Sequence, residues 1–251
     1  MSDDAHTPDA RAVLRVTGPD RAAFLQGLVT NDVDRVDAGL VYTALLSPQG
    51  KYLADFFMVG ADEAILLDVA AEMAPALAQR LAMYKLRAAV AIEASDITVT
   101  CGLGPPPPGG LPDPRHEALG WRAYGAAMDA PAVDWDALRV EHMIPEAGRE
   151  LHTGDSFILE YGFERLNGVD FKKGCYVGQE VTARMKHKTE LKKGLARVAI
   201  TGAAEPGAEI MADGKPAGTL YTRAGDAALA YLRFDRATGP MQAGGATITR
   251  I

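Results

Sequence analysis

Between Lys172 and Arg184 the chain reads KKGCYVGQEVTAR, which sets a thiol, Cys175, between Gly174 and Tyr176 just past two lysines. Val177, Val181 and Met185 recur at helical spacing and Glu180 stands four residues before Arg184, so a helix is predicted to begin beside the thiol. With Cys175 just before or within its first turn, the helix N–H groups and the adjacent Lys172 and Lys173 favour thiolate over thiol. Such a group is a nucleophile or a soft-metal ligand, and the same donors suit a bound carboxylate or phosphate. The competing reading is a small residue chosen for packing in a tight turn. His187 is about three helical turns away, so a partner base would have to be His6, His116, His142 or His152, brought in by the fold.

The elements that must carry this segment read as α+β, without a regular βα repeat. Residues 11–17 alternate as a strand, and a helix is expected from about Pro19 to Val29, with a turn at Thr30-Asn31-Asp32. Val41–Leu46 and Tyr52–Val59 form a hairpin across Ser47-Pro48-Gln49-Gly50, and Ala64–Ala70 adds a third strand. Met73, Leu77, Leu81 and Tyr84 mark a second helix, followed by a strand pair at Val90–Ile92 and Ile97–Thr100. Residues 102–115, rich in Pro and Gly, are expected to be an extended surface loop. Asp134–His142 reads as helix, and Val169 and Phe171 as the end of a strand leading into the thiol segment. From about residue 194 short β-type runs alternate with turns such as Asp213-Gly214, so residues 1–193 are expected to form one region and 194–251 a small β-barrel.

Composition narrows the classes. A formal charge of −7 argues against a surface that grips nucleic acid, since counterion displacement needs a basic field. One local patch stands out: Lys172, Lys173, Arg184, Lys186, His187, Lys188, Lys192 and Lys193 fall within 22 residues, as either a solvated face or an anion site. No apolar run reaches the roughly 18 residues of a membrane span, and the first residues are acidic where a targeting sequence is basic, so a cytoplasmic protein is expected. Cys101 and Cys175 lie 74 positions apart, so neither a disulfide framework nor a zinc site is indicated, and two thiols cannot complete a four-cysteine iron–sulfur shell.

KGCYVGQE closely resembles the K-G-C-Y-x-G-Q-E signature of the YgfZ family of folate-binding proteins, which is related to the glycine cleavage T-protein and includes a mitochondrial iron–sulfur assembly factor. FLQGLVTNDV at 24–33, ALLSPQGKYLADF at 44–56 and GVDFKKG look like the same family, as do ADGKPAGTL and ALAYLRFD near the C-terminus. The resemblance implies a T-protein-like folate-binding body round a central cavity with a C-terminal β-barrel. It implies a role in assembly or repair of iron–sulfur clusters, particularly for [4Fe–4S] and radical-SAM enzymes such as those that modify tRNA, with tetrahydrofolate or another reduced folate as ligand. Carried over residue by residue, the resemblance implies that Cys175 is the functional thiol and that Lys173, Gly174, Tyr176, Gly178, Gln179, Glu180 and Arg184 of the signature segment help bind the folate. Phe24, Asn31, Tyr84, Arg87 and Tyr176 are candidates for the pterin pocket.

One departure separates two readings. Where the T-protein hairpin carries two adjacent aspartates, this chain has Ala54 and Asp55. A folate-dependent accessory factor acting through Cys175 on iron–sulfur clients or assembly machinery is the first reading, as a monomer or weak oligomer. The second is a tetrahydrofolate-dependent aminomethyl- or demethyltransferase with Asp55 as its acid–base group.

Overall fold

The computed structural model describes residues 10–187 and 190–251. Its first sheet has the strand order β2-β3-β4-β1-β5, every neighbouring pair antiparallel. The strands are β1 (Arg11–Thr17), β2 (Val41–Leu46), β3 (Tyr52–Ala61), β4 (Ala64–Ala70) and β5 (Ala91–Ser95). Every residue of β2 and β4 is buried, because both faces of this sheet are covered. Leu45, Ala54 and Leu77 belong to the core on one face, and Tyr42, Leu46, Tyr52 and Tyr176 to the core on the other.

Two helices serve the first of these faces. Helix α1 (Arg21–Gln26) is shorter than the expected Pro19–Val29. The helix gives way at Gly27; the Val29 amide still reaches back to the Leu25 carbonyl, but Val29 pairs with Leu45 of β2 and the Thr30 amide donates across to the Ala44 carbonyl. Tertiary pairing thus overrides the local helical pattern. Helix α2 (Ala74–Tyr84) starts with Pro75 in its first turn, where a missing N–H costs nothing, and buries Leu77 and Leu81.

The expected strand pair at Val90–Ile92 and Ile97–Thr100 does not form. β5 joins β1, whereas β6 (Thr98–Gly102) enters a second sheet of order β6-β8-β7. That sheet also corrects the reading of 102–115 as a surface loop throughout. Leu103 to Pro106 are exposed, but β7 (Leu111–Pro112) pairs with β8 (Trp121–Gly125), and Asp113 is buried. Pro112 is tolerated there because β7 is an edge strand.

Asp68 on β4 ties the two sheets together. It accepts from Arg11 Nε at 2.6 Å, from Arg122 Nη1 of β8 at 3.1 Å and from the Tyr124 hydroxyl at 3.0 Å. Arg122 also donates to Asp113, which Arg115 grips through two further side-chain bonds. Burial alone would raise the Asp113 pKa, but the guanidinium groups of Arg115 and Arg122 more than offset this and hold it at about 2.

Helix α3 (Trp135–His142), N-capped by Asp134, leads toward the C-terminal barrel. Its Arg139 pairs with the fully buried Glu150, which also accepts from the Thr222 hydroxyl at 2.6 Å. The barrel is closed, in the order β10-β11-β12-β9-β14-β13, over β9 (Lys193–Thr201), β10 (Glu209–Ala212), β11 (Lys215–Ala224), β12 (Ala227–Arg233), β13 (Met241–Ala243) and β14 (Ala246–Arg250). Asp213 and Gly214, both at positive φ, make the expected hairpin turn between β10 and β11. Tyr231 of β12 stacks on Tyr161 and donates to Glu160 at 2.6 Å, a second tie from barrel to body. Among the described residues no helix is long and apolar enough to cross a membrane.

The depressed pKa of Asp113 fixes the sign of a pH effect. Its stabilising contribution is complete above about pH 4 and is lost as the pH falls toward 2, a swing of roughly 2 kcal/mol. In urea unfolding, Asp113→Asn should flatten this part of the pH profile. It should also cost about 3–5 kcal/mol at neutral pH, because two buried guanidinium groups lose a partner. A neutral-pH loss below about 1 kcal/mol would show that the network is dispensable.

Candidate functional site: an exposed thiol on a pinned loop

Two separate stretches of chain converge on the loop that carries Cys175. From the α1 side, Asn31 Nδ2 donates to the carbonyls of Asn167 and Tyr42, and Thr30 Oγ1 donates to the Gly168 carbonyl. The Asp170 amide donates to the Thr30 carbonyl and the Val177 amide to the Gly27 carbonyl. These bonds leave Val169–Phe171 as irregular backbone, not the expected end of a strand.

Lys173 supplies the firmest fastening. Its ammonium donates at 2.6 Å to the carbonyls of both Gln26 and Val29, groups at the end of α1 that a short helix leaves without internal partners. Burial lowers its pKa to about 8, with Asp32 and Asp170 acting in the opposite sense. The second stretch is the β2–β3 turn. Gly178 has φ +85°, and a Cβ there would lie 2.6 Å from the Ser47 carbonyl oxygen; a Cβ on Gly50 would lie 2.7 Å from Cβ of Val181. Two glycines therefore let the thiol loop and the hairpin turn touch backbone to backbone.

Helix α4 (Gln179–Lys186) follows, with Gly178 as its N-cap. Cys175 thus lies three residues before the cap and outside the first turn, and the expectation that the helix end acts directly on the thiol is corrected. The dipole effect fades within one turn. Glu180 and Arg184 do form the expected i, i+4 pair, at 2.6 Å. Tyr176 turns inward to the core, whereas Gly174 and Cys175 face solvent.

No histidine among the described residues is hydrogen-bonded to Cys175. His116 and His142 stack on each other with ring centroids 4.1 Å apart, and His152 meets the Tyr221 hydroxyl at 3.2 Å. His6 lies outside the described residues. The basic patch is partly spent: Lys173 on carbonyls, Arg184 on Glu180, Lys186 on Glu164, and Lys193 over the Tyr231 ring. Lys172, His187 and Lys192 remain exposed, and Lys188 lies outside the described residues.

The folate candidates are not gathered round one space. Asn31 uses both amide protons on backbone carbonyls. Phe24 and Tyr84 pack on the core of the first face, Tyr176 packs on the core of the other, and Arg87 is exposed. Asp55 faces an inner cavity of about 50 Å³, enough for water but far below what a pterin needs. Both its carboxylate oxygens accept from buried tyrosines, Tyr42 at 2.9 Å and Tyr52 at 2.6 Å. Arg122 lies 3.9 Å above the Phe57 ring and closes the space further.

A far larger cleft, about 800 Å³, opens on the opposite side of β3, between α2 and residues 148–153. Leu45, Ala54, Leu77 and Leu151 line it, with Glu72, Arg80 and His152 also on its walls. Sequence reading missed it, because its walls come from three distant segments. It also missed the inner network, although Asp68 alone in AILLDVA was a visible signal that a buried partner must exist.

Comparison with known proteins now separates family from fold. The mitochondrial iron–sulfur cluster assembly factor IBA57 of Mus musculus is 32% identical over 93% of this chain and 78% of its own length. The Homo sapiens protein of that name is 30% identical with the same coverages. The chain belongs to the IBA57 family. Residues 192–251 match the model of the CAF17 C-terminal beta-barrel domain, in agreement with the closed barrel. The crystal structure of the glycine cleavage system aminomethyltransferase T from Bartonella henselae aligns with a TM-score of 0.76 over 96% of this chain and 82% of that one. At 12% identity this establishes the α+β fold alone. These IBA57 relatives are mitochondrial proteins, which overturns the cytoplasmic expectation drawn from the acidic first residues.

The fastening of the loop has a measurable signature. Lys173→Ala should lower stability by about 1–3 kcal/mol, as two carbonyls lose a charged donor. Hydrogen exchange at the Asp170 and Val177 amides should accelerate with it. Unchanged protection at both amides would mean that Lys173 does not hold the loop.

Proposed function

We propose that this chain assists the assembly or repair of iron–sulfur clusters by offering Cys175 as a single thiolate ligand to a cluster whose other ligands come from a partner. The observation that carries this reading is an exposed thiol with no side-chain partner, on a loop pinned from two sides. Ligand arithmetic supports a shared site. A cluster takes four thiolates or equivalents, and among the described residues no group of three His, Cys, Asp or Glu is placed to hold a metal. Cys101 cannot assist, since it sits on β6 at the wall of the inner cavity. Lys172, His187 and Lys192, exposed in the same stretch of chain, suit an anionic thiolate-bound cluster or an acidic partner surface.

The clients in this reading are [4Fe–4S] enzymes, including radical-SAM enzymes of tRNA modification, as the YgfZ signature suggests. A reduced folate is the proposed small-molecule ligand. The geometry gives no support to aminomethyl transfer at Asp55, whose oxygens are occupied by two tyrosines in a space too small for a pterin.

The test is complementation of a strain lacking its family member, read as activity of a [4Fe–4S] enzyme. Cys175→Ala should keep the wild-type melting temperature within a degree or two and fail to rescue, while Cys101→Ala rescues. Full rescue by Cys175→Ala rules out the thiol as the working group.

A further inference from the structure

We propose that the cleft along α2, and not the inner cavity at Asp55, is the binding site for the reduced folate. This placement rests on the folate half of the function proposed above. Volume is the first argument: small-molecule sites run from about 300 to 1,000 Å³. The cleft, at about 800 Å³, lies within that range, and the inner cavity, at about 50 Å³, lies outside it.

The second argument is chemical. Glu72 and Arg80 line the cleft, and neither enters a hydrogen bond or ion pair elsewhere in the described residues. They stand eight residues apart on one continuous helical segment, Ala71–Met73 running into α2, a separation of roughly 12 Å at 1.5 Å per residue. Between them Leu45, Ala54, Leu77 and Leu151 back the cleft from the core, almost wholly buried, and the apolar surface a ligand could meet comes from Leu53, Met73 and the exposed Met83, beside the polar Gln79, His152 and Thr153.

This is the complement of a folate laid lengthwise. The pterin edge presents two adjacent N–H donors, which a carboxylate accepts in pairs; Glu72 is that carboxylate. The aminobenzoyl ring lies against Leu53 and the sulfurs of Met73 and Met83. The glutamate carboxylate at the far end meets Arg80, whose planar fork matches it. Gly148 makes room at the pterin end. It has φ +76°, and a Cβ there would come within 2.9 Å of Glu72 Oε1.

β3 itself explains why the ligand changes side. Successive side chains of a strand point to opposite faces, so Asp55 looks into the inner cavity and Ala54 into the cleft. A carboxylate at position 54, as in the T-protein hairpin, would put a charge on the floor where the ring must lie. Alanine keeps that floor apolar.

The experiment is isothermal titration of the full chain with 5-formyltetrahydrofolate, each variant first shown to melt like wild type. Wild type should bind saturably. Glu72→Gln and Arg80→Ala should each weaken Kd by about 10-fold or more, the effect of losing a hydrogen bond to a charged group. Ala76→Trp, which fills the cleft from an exposed position on α2, should abolish binding, and Cys101→Ala on the inner-cavity wall should leave it unchanged. Wild-type binding that is indifferent to Glu72, Arg80 and Ala76 overturns the placement while leaving the folate reading intact. No saturable binding by wild type overturns both, and neither result touches the Cys175 complementation test.

Discussion

A carboxylate with no solvent exposure, Asp68, is the point on which the body of this molecule is assembled. It sits in a strand that is otherwise almost wholly apolar, and an isolated charge there would be untenable. Its charge is met by Arg11 from the neighbouring strand and by Arg122 from the second sheet, so the two sheets can pack only in the register that brings these groups together. Arg122 in turn commits Asp113, and Asp113 commits Arg115. Breaking any one link would leave buried charge uncompensated, which is far costlier than never having built the network. The same arginines lie over Phe57 and Tyr42, and that is why the space at the centre of the body is small.

The centre is closed and Cys175, the thiol of the proposed function, is displayed at the surface, where the loop at 167–178 holds it by borrowing rigidity. Four of the eight residues of the signature, Lys173–Glu180, have a mechanical assignment. Lys173 satisfies the loose carbonyls of α1, Tyr176 anchors in the core, and Gly178 meets Gly50 where no side chain would fit. Gly174, at φ +103°, turns the chain so that Cys175 faces outward. A thiol held this way has little conformational entropy left to lose on binding, as the proposed shared ligation requires.

What was legible in the sequence follows from how local each signal is. The β2–β3 hairpin, α2, α3 and the Asp213-Gly214 turn are written in contiguous residues, and they form as read. The partners of β5 and β6 are not, since nothing in Val90–Thr100 says that the two strands leave for different sheets. The Pro-rich segment reads as surface because composition is averaged over it, yet its last residues carry Asp113 and Arg115 into the interior. At the site, the residue types of the signature were visible, but their work was not. Asn31 and Lys173 look like ligand-binding groups in one dimension and prove to be spent on backbone carbonyls drawn from far along the chain.

The β2–β3 hairpin explains why the thiol loop and the cleft need not be separate inventions. Leu45 looks into the cleft, and Leu46, the next residue, packs beneath Gly178. On the partner strand Ala54 belongs to the cleft and Asp55 to the inner cavity, while the turn at Gly50 touches α4 through Val181. Because neighbours in a strand alternate faces, a single buried pair of strands serves three sites with no residue shared between them. Substitutions on one face can therefore reshape a binding surface while the seat of the thiol is held by the other. In such a sheet, exchanging a carboxylate for alanine at position 54 leaves the strand pairing intact and changes only the wall of the cleft.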